Sequence, residues 1–300
     1  MPYDSIVLAK QVPDTKAVTG KAMNADGTVN RSALPAIFNP EDTNALEAAL
    51  EVKDRFGGTV TVITMGPPQA AAILRESLYR AADRVILLTD RRAAASDTLA
   101  TSYILSCACR KVSRYDLIFC GRQAIDGDTA QVGPQVAEKL GIPQITYVEK
   151  IERLDQDLIR CRRVTERGYE VVEANLPALL TVIATANDLR PASIKKMLRF
   201  KNARAPVEIA LALEAGSDES QRAMIQEELL QLQTRGLAIT QWNLDDLGAD
   251  IAWCGRTGSP TKVKRIQSIV LTATEQKRYD PTDEGLSTLI HELIEDHTIG

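Results

Sequence analysis

Continuous apolar runs and amphipathic stretches alternate along the first two-thirds of the chain. SIVLAKQV (5–12), TVTVITM (59–65), RVILLT (84–89) and DLIFC (116–120) are rich in Val, Ile and Leu and lack the polar alternation of a half-exposed strand. Helical segments separate them. IFNPEDTNALEAALEVKDRFGG offers Asn39 as N-cap, Pro40 at the first helical position, Glu41 and Asp42 in the first turn, and Gly57 and Gly58 to close the helix. PPQAAAILRESLYRAA and SDTLATSYILSCACRKV supply the next two helices, and QVAEKLG starts a third before a shorter strand, ITYVEKI (145–151). Buried strands spaced by helices predict an α/β fold: a Rossmann-like parallel sheet with helices on both faces.

Beyond residue 150 the pattern changes. KIERLDQDLIRCRRV and GYEVVEANLP read as an antiparallel pair, a short extension of the sheet, and ALLTVIA (178–184) as a further apolar strand. From about 200 the core-forming rhythm fades. SDESQRAMIQEELLQLQTRG predicts an isolated amphipathic helix capped by Ser217 or Asp218 and ended by Gly236, WNLDDLGADIAWCGRTGSPTKVKRI is loop-rich, and EGLSTLIHELIED is a last helix. The organisation expected is a nucleotide-binding domain over 1–200 and a helical, loop-rich C-terminal arm over 201–300 that packs on a partner.

Ligands of parallel α/β sheets sit beyond the carboxyl ends of the strands. Three polar loops fall there: KQVPD (10–14), MGPPQ (65–69) and GRQAIDGDTAQVGP (121–134), and they are expected to converge on one crevice. Gly121, Gly127 and Gly133 permit close backbone approach, and a helix beginning near Ala130 offers N–H groups to a phosphate. The Thr129 hydroxyl and Gln131 amide add donors; Asp126 and Asp128 would repel phosphate and are read as holding neighbouring N–H groups or a ribose hydroxyl. The competing reading is an Asp-Gly surface turn. GxGxxG and GxxxxGK[ST] are both absent, as are nucleophile-elbow, kinase and zincin patterns. With no catalytic side chain in view, a cofactor is the expected source of chemistry.

Composition narrows the class. Thirty-six basic against 40 acidic residues leave a net charge of −4, which gives no reason to expect nucleic acid as a partner. Five cysteines and two histidines form no metal-binding spacing, and the odd cysteine count points to a reducing, cytoplasmic setting. No run reaches the length of a membrane span, so no membrane insertion is expected. Cys107, Cys109 and Cys120 are read as buried thiols, and Trp242 and Trp253 as packing the arm.

KQVPD, FNPEDTNALEAAL (38–50), VITMGPPQA (62–70), SDTLATSYIL (96–105), CGRQAIDGDTAQVGPQVAEKLGIPQITYVEKI (120–151), GYEVVEANLPALLTV (168–182) and GSPTKVKRI (258–266) together resemble the small (β) subunit of electron transfer flavoproteins, in order over nearly all of 1–190. The resemblance implies a partner α subunit carrying a flavin, and a β site filled by structural AMP or by a second FAD. Ordinary AMP-binding members carry a loop similar to KQAIDDDCNQTG, whereas Gly127 stands here at the central acidic position. Together with SDTLATSY and GSPTKV, this resembles the electron-bifurcating subgroup. There FAD in the β site takes hydride from NADH, and the electrons divide between ferredoxin and the α-subunit FAD, which feeds a flavin-dependent dehydrogenase. The alternative is a non-bifurcating carrier with structural AMP; an ATP-using protein of a related fold is disfavoured by KQVPD after the first strand.

Carried residue by residue, the resemblance assigns the cofactor to Leu8, Ala9, Met65 and Gly66 as backbone and wall contacts. It further assigns Gly121, Arg122, Gln123, Ala124, Ile125, Asp126, Gly127, Asp128, Thr129, Ala130, Gln131, Val132, Gly133 and Pro134. Asn39 and Asp42 touch the cofactor or cap their helix; Thr98 and Thr101 face the flavin, with helix capping the alternative for Thr98; Arg122 neutralises phosphate or pairs with Asp126. No residue of the chain is assigned a catalytic role. A partner-recognition segment is matched by NDLRPASI (187–194), with Arg190 retained, Ile194 as apolar anchor, and Lys195 and Lys196 beginning a basic run that is a docking face or a solvated one. Leu189 and Pro191 depart from the usual Pro and Tyr, which opens the choice of dehydrogenase to a 2-hydroxy-acid (lactate) type beside the acyl-CoA type.

Overall fold

The computed structural model describes residues 1–14, 34–213, 219–261 and 277–295. Its centre is a nine-stranded sheet. The apolar runs form the parallel strands β1 (Ser5–Leu8), β4 (Val60–Met65), β5 (Arg84–Leu88), β6 (Leu117–Gly121) and β10 (Ala178–Val182). Two short strands, β2 (Gln11–Pro13) and β3 (Ala36–Phe38), form a separate antiparallel pair. The large sheet is completed by β7 (Gln144–Asp155), β8 (Leu158–Thr165), β9 (Gly168–Asn175) and β11 (Thr240–Trp242), in the order β11-β5-β4-β1-β6-β10-β7-β8-β9.

The chain leaves β1 through β4 to β5 on one side and returns to β6 on the other, with all of these pairs parallel. The order therefore reverses between β1 and β6, the topological position at which such sheets hold a ligand crevice beyond their carboxyl ends. Alternate strand residues feed opposite faces, as the twofold period requires. Val7, Val62, Leu87, Phe119 and Leu180 pack with α1 (Pro40–Phe56) and α2 (Ala71–Tyr79). Ile6, Leu8, Ile63, Ile86, Ile118 and Leu179 pack with α3 (Thr98–Val112) and α4 (Val132–Leu140). The expected α/β sheet with helices on both faces is present.

Several local expectations change. SIVLAKQV is two strands, because the Lys10 N–H leaves the ladder to reach the Asp42 carboxylate. ITYVEKI is the middle of a twelve-residue strand whose first part pairs parallel with β10 and whose second part pairs antiparallel with β8. Gly57 and Gly58 close α1 with φ of +81° and +104°, and a Cβ on Gly58 would lie 2.0 Å from the Tyr3 carbonyl oxygen, so the glycine is obligatory there.

α7 (Glu219–Thr234) is not isolated: Leu232 is buried, and Ile225 and Leu229 pack on the same core as α6 (Pro206–Ala212). Its expected caps Ser217 and Asp218 lie outside the described residues, while Gly236 follows it at φ +66°. The stretch read as loop-rich contributes β11, parallel to β5, and Leu244 and Cys254 to the core. Nothing of α9 (Asp283–Glu295) is buried, and Leu286, Ile290 and Ile294 lie exposed along one side of it.

Candidate functional site at the β1/β6 switch point

The N-terminus of α1 ties the end of β1 to the 121–134 loop. Asn39 precedes the helix, but its side chain makes no capping bond. Its Nδ2 donates to the Gln123 carbonyl at 2.9 Å and its Oδ1 accepts from the Ile125 N–H at 3.1 Å. Asp42, buried, accepts from the Lys10 N–H and the Gly121 N–H, each at 2.8 Å. Burial pushes its carboxyl from the usual 3.8 to about 7, against the opposing pull of those two N–H groups. One carboxyl thus joins the ends of β1 and β6. Glu41 adds a third tie, accepting from the Gln123 N–H at 2.9 Å and pairing with the Arg122 guanidinium at 2.9 Å.

Across the crevice the Lys10 ammonium pairs with Asp126 at 2.7 Å, and Gln11 Nε2 donates to the Gln69 carbonyl at 3.1 Å. KQVPD, MGPPQ and the 121–134 loop therefore meet. Arg122 pairs with Glu41, and Asp126 with Lys10. The sequence marks neither Lys10 nor Glu41 as a site residue, although both lie inside its motifs: Glu41 reads only as a first-turn acid, since a carboxylate reaching a distant loop leaves no local signature.

Of the loop glycines, two serve the protein's own packing. A Cβ on Gly121 would lie 2.6 Å from Asp42 Oδ1 and 2.8 Å from the α1 backbone; one on Gly133 would lie 2.7 Å from Cys120 Sγ. Gly127 is different. It is exposed, no atom of the described residues beyond its own and its chain neighbours' lies within 4 Å of where its Cβ would be, and its φ is outside the left-handed region. The loop takes left-handed conformations instead at Asp128 (φ 49°) and Ala130 (φ 51°). Gln123 Nε2 donates to Asp128 at 3.0 Å, and the Gly127 and Asp128 N–H groups both donate to the Ala124 carbonyl.

α4 begins at Val132, with Gln131 as an N-cap residue whose side chain makes no capping bond. That side chain accepts instead from the Thr98 hydroxyl at 3.0 Å, which joins α3 to the loop. Thr98 does not cap its own helix; Asp97 does, accepting from the Ala100 N–H at 3.0 Å. Thr101 lies one turn on, half-buried, as is Met65, while Leu8 and Ala9 are buried beneath the crevice floor. Gly66 donates its N–H to Leu88. Thr129 is exposed and Pro134 half-buried in the first turn of α4. Of the buried side-chain polar atoms left without a hydrogen bond, Arg122 Nε and Gln135 Oε1 belong to residues of this loop and helix. Open space at Gly127, a helix start lacking a side-chain cap and these two orphaned atoms suit an elongated polar ligand.

Two recesses lie elsewhere and include no residue of 121–134. One, of about 300 Å³, lies between α1 (Glu51, Arg55) and Lys150, Arg162 and Asn187; the other, of about 340 Å³, lies between Ile37, Ile73, Arg80 and Leu189. Burial pushes the Cys109 thiol up to about 12 and Cys120 higher still. Among the described residues no cluster of His, Cys, Asp and Glu is arranged to hold a metal, and no helix is long and apolar enough to cross a membrane.

The 187–194 segment begins differently from expectation. Arg190 is drawn back onto α1, pairing with Glu47 at 2.9 Å and Asp54 at 2.8 Å. Ser193 caps α5 (Ile194–Phe200), which rests on α2 and presents Ile194 (74% exposed), Met197 and Leu198 to solvent with Lys195 beside them; Lys196 is half-buried.

The electron transfer flavoprotein domain family matches residues 26–227. An electron transfer flavoprotein subunit beta of Clostridium acetobutylicum is 41% identical over 98% of this chain and 99% of its own length. Protein FixA of Bradyrhizobium diazoefficiens is 40% identical over 97% of the chain and 91% of its own. The caffeyl-CoA reductase-Etf complex subunit CarD of Acetobacterium woodii is 40% identical over 98% and 99%. With the switch-point crevice built from the family's own motifs, the chain belongs to the electron transfer flavoprotein family, as a beta subunit.

Proposed function

We propose that this β subunit holds an FAD in the β1/β6 crevice, pairs with a flavin-bearing α subunit, and serves an electron-bifurcating complex. When bound, the FAD supplies hydride acceptance from NADH and one-electron delivery to ferredoxin and to the α-subunit FAD, which supplies a flavin-dependent dehydrogenase of 2-hydroxy-acid or acyl-CoA type. The chain's own residues bind and orient. The N–H groups at the start of α4 would meet the diphosphate's charge, Arg122 and Gln135 would supply atoms otherwise unpaired, and Thr98 with Gln131 would border the bound group on the α3 side. Glu41, Asp42 and Asn39 hold the loop that does this. Likeness to CarD, by name a subunit of a reductase-Etf complex, supports assembly with further subunits.

Gly127 carries the choice of FAD over AMP. The fold does not ask for glycine at a position with ordinary φ and no neighbour within 4 Å, so its effect is to keep bulk and negative charge out of the crevice mouth. Extraction of the purified heterodimer is expected to yield two FAD; one FAD with one AMP would discard this reading in favour of a simple carrier. Gly127→Asp is expected to leave unfolding within about 0.5 kcal/mol of the parent. It should weaken flavin retention roughly tenfold, since a carboxylate beside a diphosphate costs on the order of 1–2 kcal/mol at partly exposed sites. Equal retention would show that this position does not see the ligand.

Dehydrogenase docking is assigned to the exposed face of α5. Exchanging Lys195 and Lys196 for Glu should slow turnover with the cognate dehydrogenase and flatten its salt dependence, because long-range steering acts through such charges. If neither quantity moves, the basic run is only a solvated face.

A further inference from the structure

The segment from Asn243 to Thr261 is zipped along α3 and the turn before it. Arg92 pairs with both Asp90 and Asp245 at 2.7 Å, the Lys111 ammonium donates to the Asp246 carbonyl at 2.6 Å, and the Asp250 N–H donates to the Tyr103 hydroxyl at 2.9 Å. The contact closes at the helix start. The Gly255 N–H donates to Ser96 Oγ at 3.1 Å, the Asp97 N–H donates to Ser259 Oγ at 2.8 Å, and the Thr261 N–H donates to the Asp97 carboxylate at 2.9 Å. Ser259 is 3% exposed, and its hydroxyl donates onward to the Gly255 carbonyl. The fit is close enough that a Cβ on Gly255, at φ +59°, would lie 2.0 Å from the Arg92 carbonyl oxygen, and one on Gly258 would lie 2.2 Å from the Trp253 carbonyl carbon.

Asp97 is the N-cap of α3, and the next residue, Thr98, donates to the side chain of Gln131, the residue preceding α4. We propose that the Gly255–Thr261 stretch is a strap that fixes the start of α3 against the 121–134 loop, with Ser259 and Ser96 as positioning residues for the nucleotide crevice. The chain of contacts runs from Ser259 to Asp97 by a hydrogen bond, from Asp97 to Thr98 through the backbone, and from Thr98 to Gln131 by a second hydrogen bond. A short segment more than 120 residues from the loop thereby sets the width of the crevice mouth on its α3 side. The link to a flavin rests on the proposed FAD reading; the strap itself does not.

The test uses the full-length chain purified with its partner subunit, with Ser259→Ala and Ser96→Ala as independent lesions on the two sides of the contact. Ser259→Thr restores the hydroxyl, and Thr234→Ala in α7 is a control. Loss of one hydrogen bond should speed amide exchange at residues 97–101 about fivefold in both alanine variants, with amides elsewhere unchanged. Bound nucleotide should dissociate about fivefold faster, and Ser259→Thr should return both rates toward the parent. Unchanged exchange at 97–101 in both variants would overturn the strap. Faster exchange with unaltered nucleotide release would overturn its connection to the crevice. Should the released nucleotide be AMP and still leave faster, the flavin reading falls and the strap stands.

Discussion

Replacing Asp42 by alanine is expected to destabilise the chain by about 2–5 kcal/mol, because it strands the N–H groups of Lys10 and Gly121, and an orphaned buried donor costs about 1–3 kcal/mol. Both donors lie 2.8 Å from the Asp42 carboxyl, and the Gly121 N–H is buried. The measurement is the urea midpoint with the slope unchanged; a loss under about 0.5 kcal/mol would mean that other groups satisfy these donors.

The same carboxyl has a pH signature. Held up to about 7 by burial, it keeps its proton in the folded chain, whereas an unfolded Asp loses it near the usual 3.8. Between those values the native state binds more protons than the unfolded state, so this contribution to stability is fully present in acid. It falls as pH rises toward 7 and is flat above, with a slope of at most about 1.4 kcal/mol per pH unit. Asp42→Asn cannot titrate, so its stability relative to the parent should rise with pH across that window. Parallel pH profiles for the two proteins would show that Asp42 is ionised throughout.

Gly133→Val should be comparably severe, at about 3 kcal/mol for overpacking a closed contact. The new Cβ would lie 2.7 Å from Cys120 Sγ and 3.0 Å from Thr181 Cγ2 before the two added methyls are counted. Thr181 cannot easily rotate away, because its hydroxyl accepts from the Tyr147 N–H at 3.1 Å. α4 must then lift from β6 and β10, taking its N-terminus and Gln131 with it. Nucleotide retention should therefore fall together with thermal stability, in contrast to Gly127→Asp, where retention alone should fall. A Gly133→Val chain that melts with the parent would mean that α4 shifts freely on the sheet.

Gly121, Gly127 and Gly133 are adjacent in one motif and look alike in sequence, yet they answer to different neighbours. Two accommodate the protein's own atoms and one is open, a distinction set by residues 13 to 80 positions away. Asn39 behaves similarly: its place before Pro40 predicts a cap, and the cap position is correct, but its amide is drawn to Gln123 and Ile125 instead. Arg122 offers a third case, since Asp126 is near in sequence and Glu41 near in space.

What the sequence alone determined is the layered α/β architecture and the convergence of three loops, because strand burial and helix periodicity are written in local runs and strand ends follow from them. It also determined the family, through long motifs in order. The tertiary structure alone decided which carboxylates hold the crevice together, which glycine is left for a ligand, and where the C-terminal arm lies. Each of those depends on a close approach between residues distant in the chain, and a hydrogen bond or a steric contact across such a distance leaves no periodic trace in the sequence.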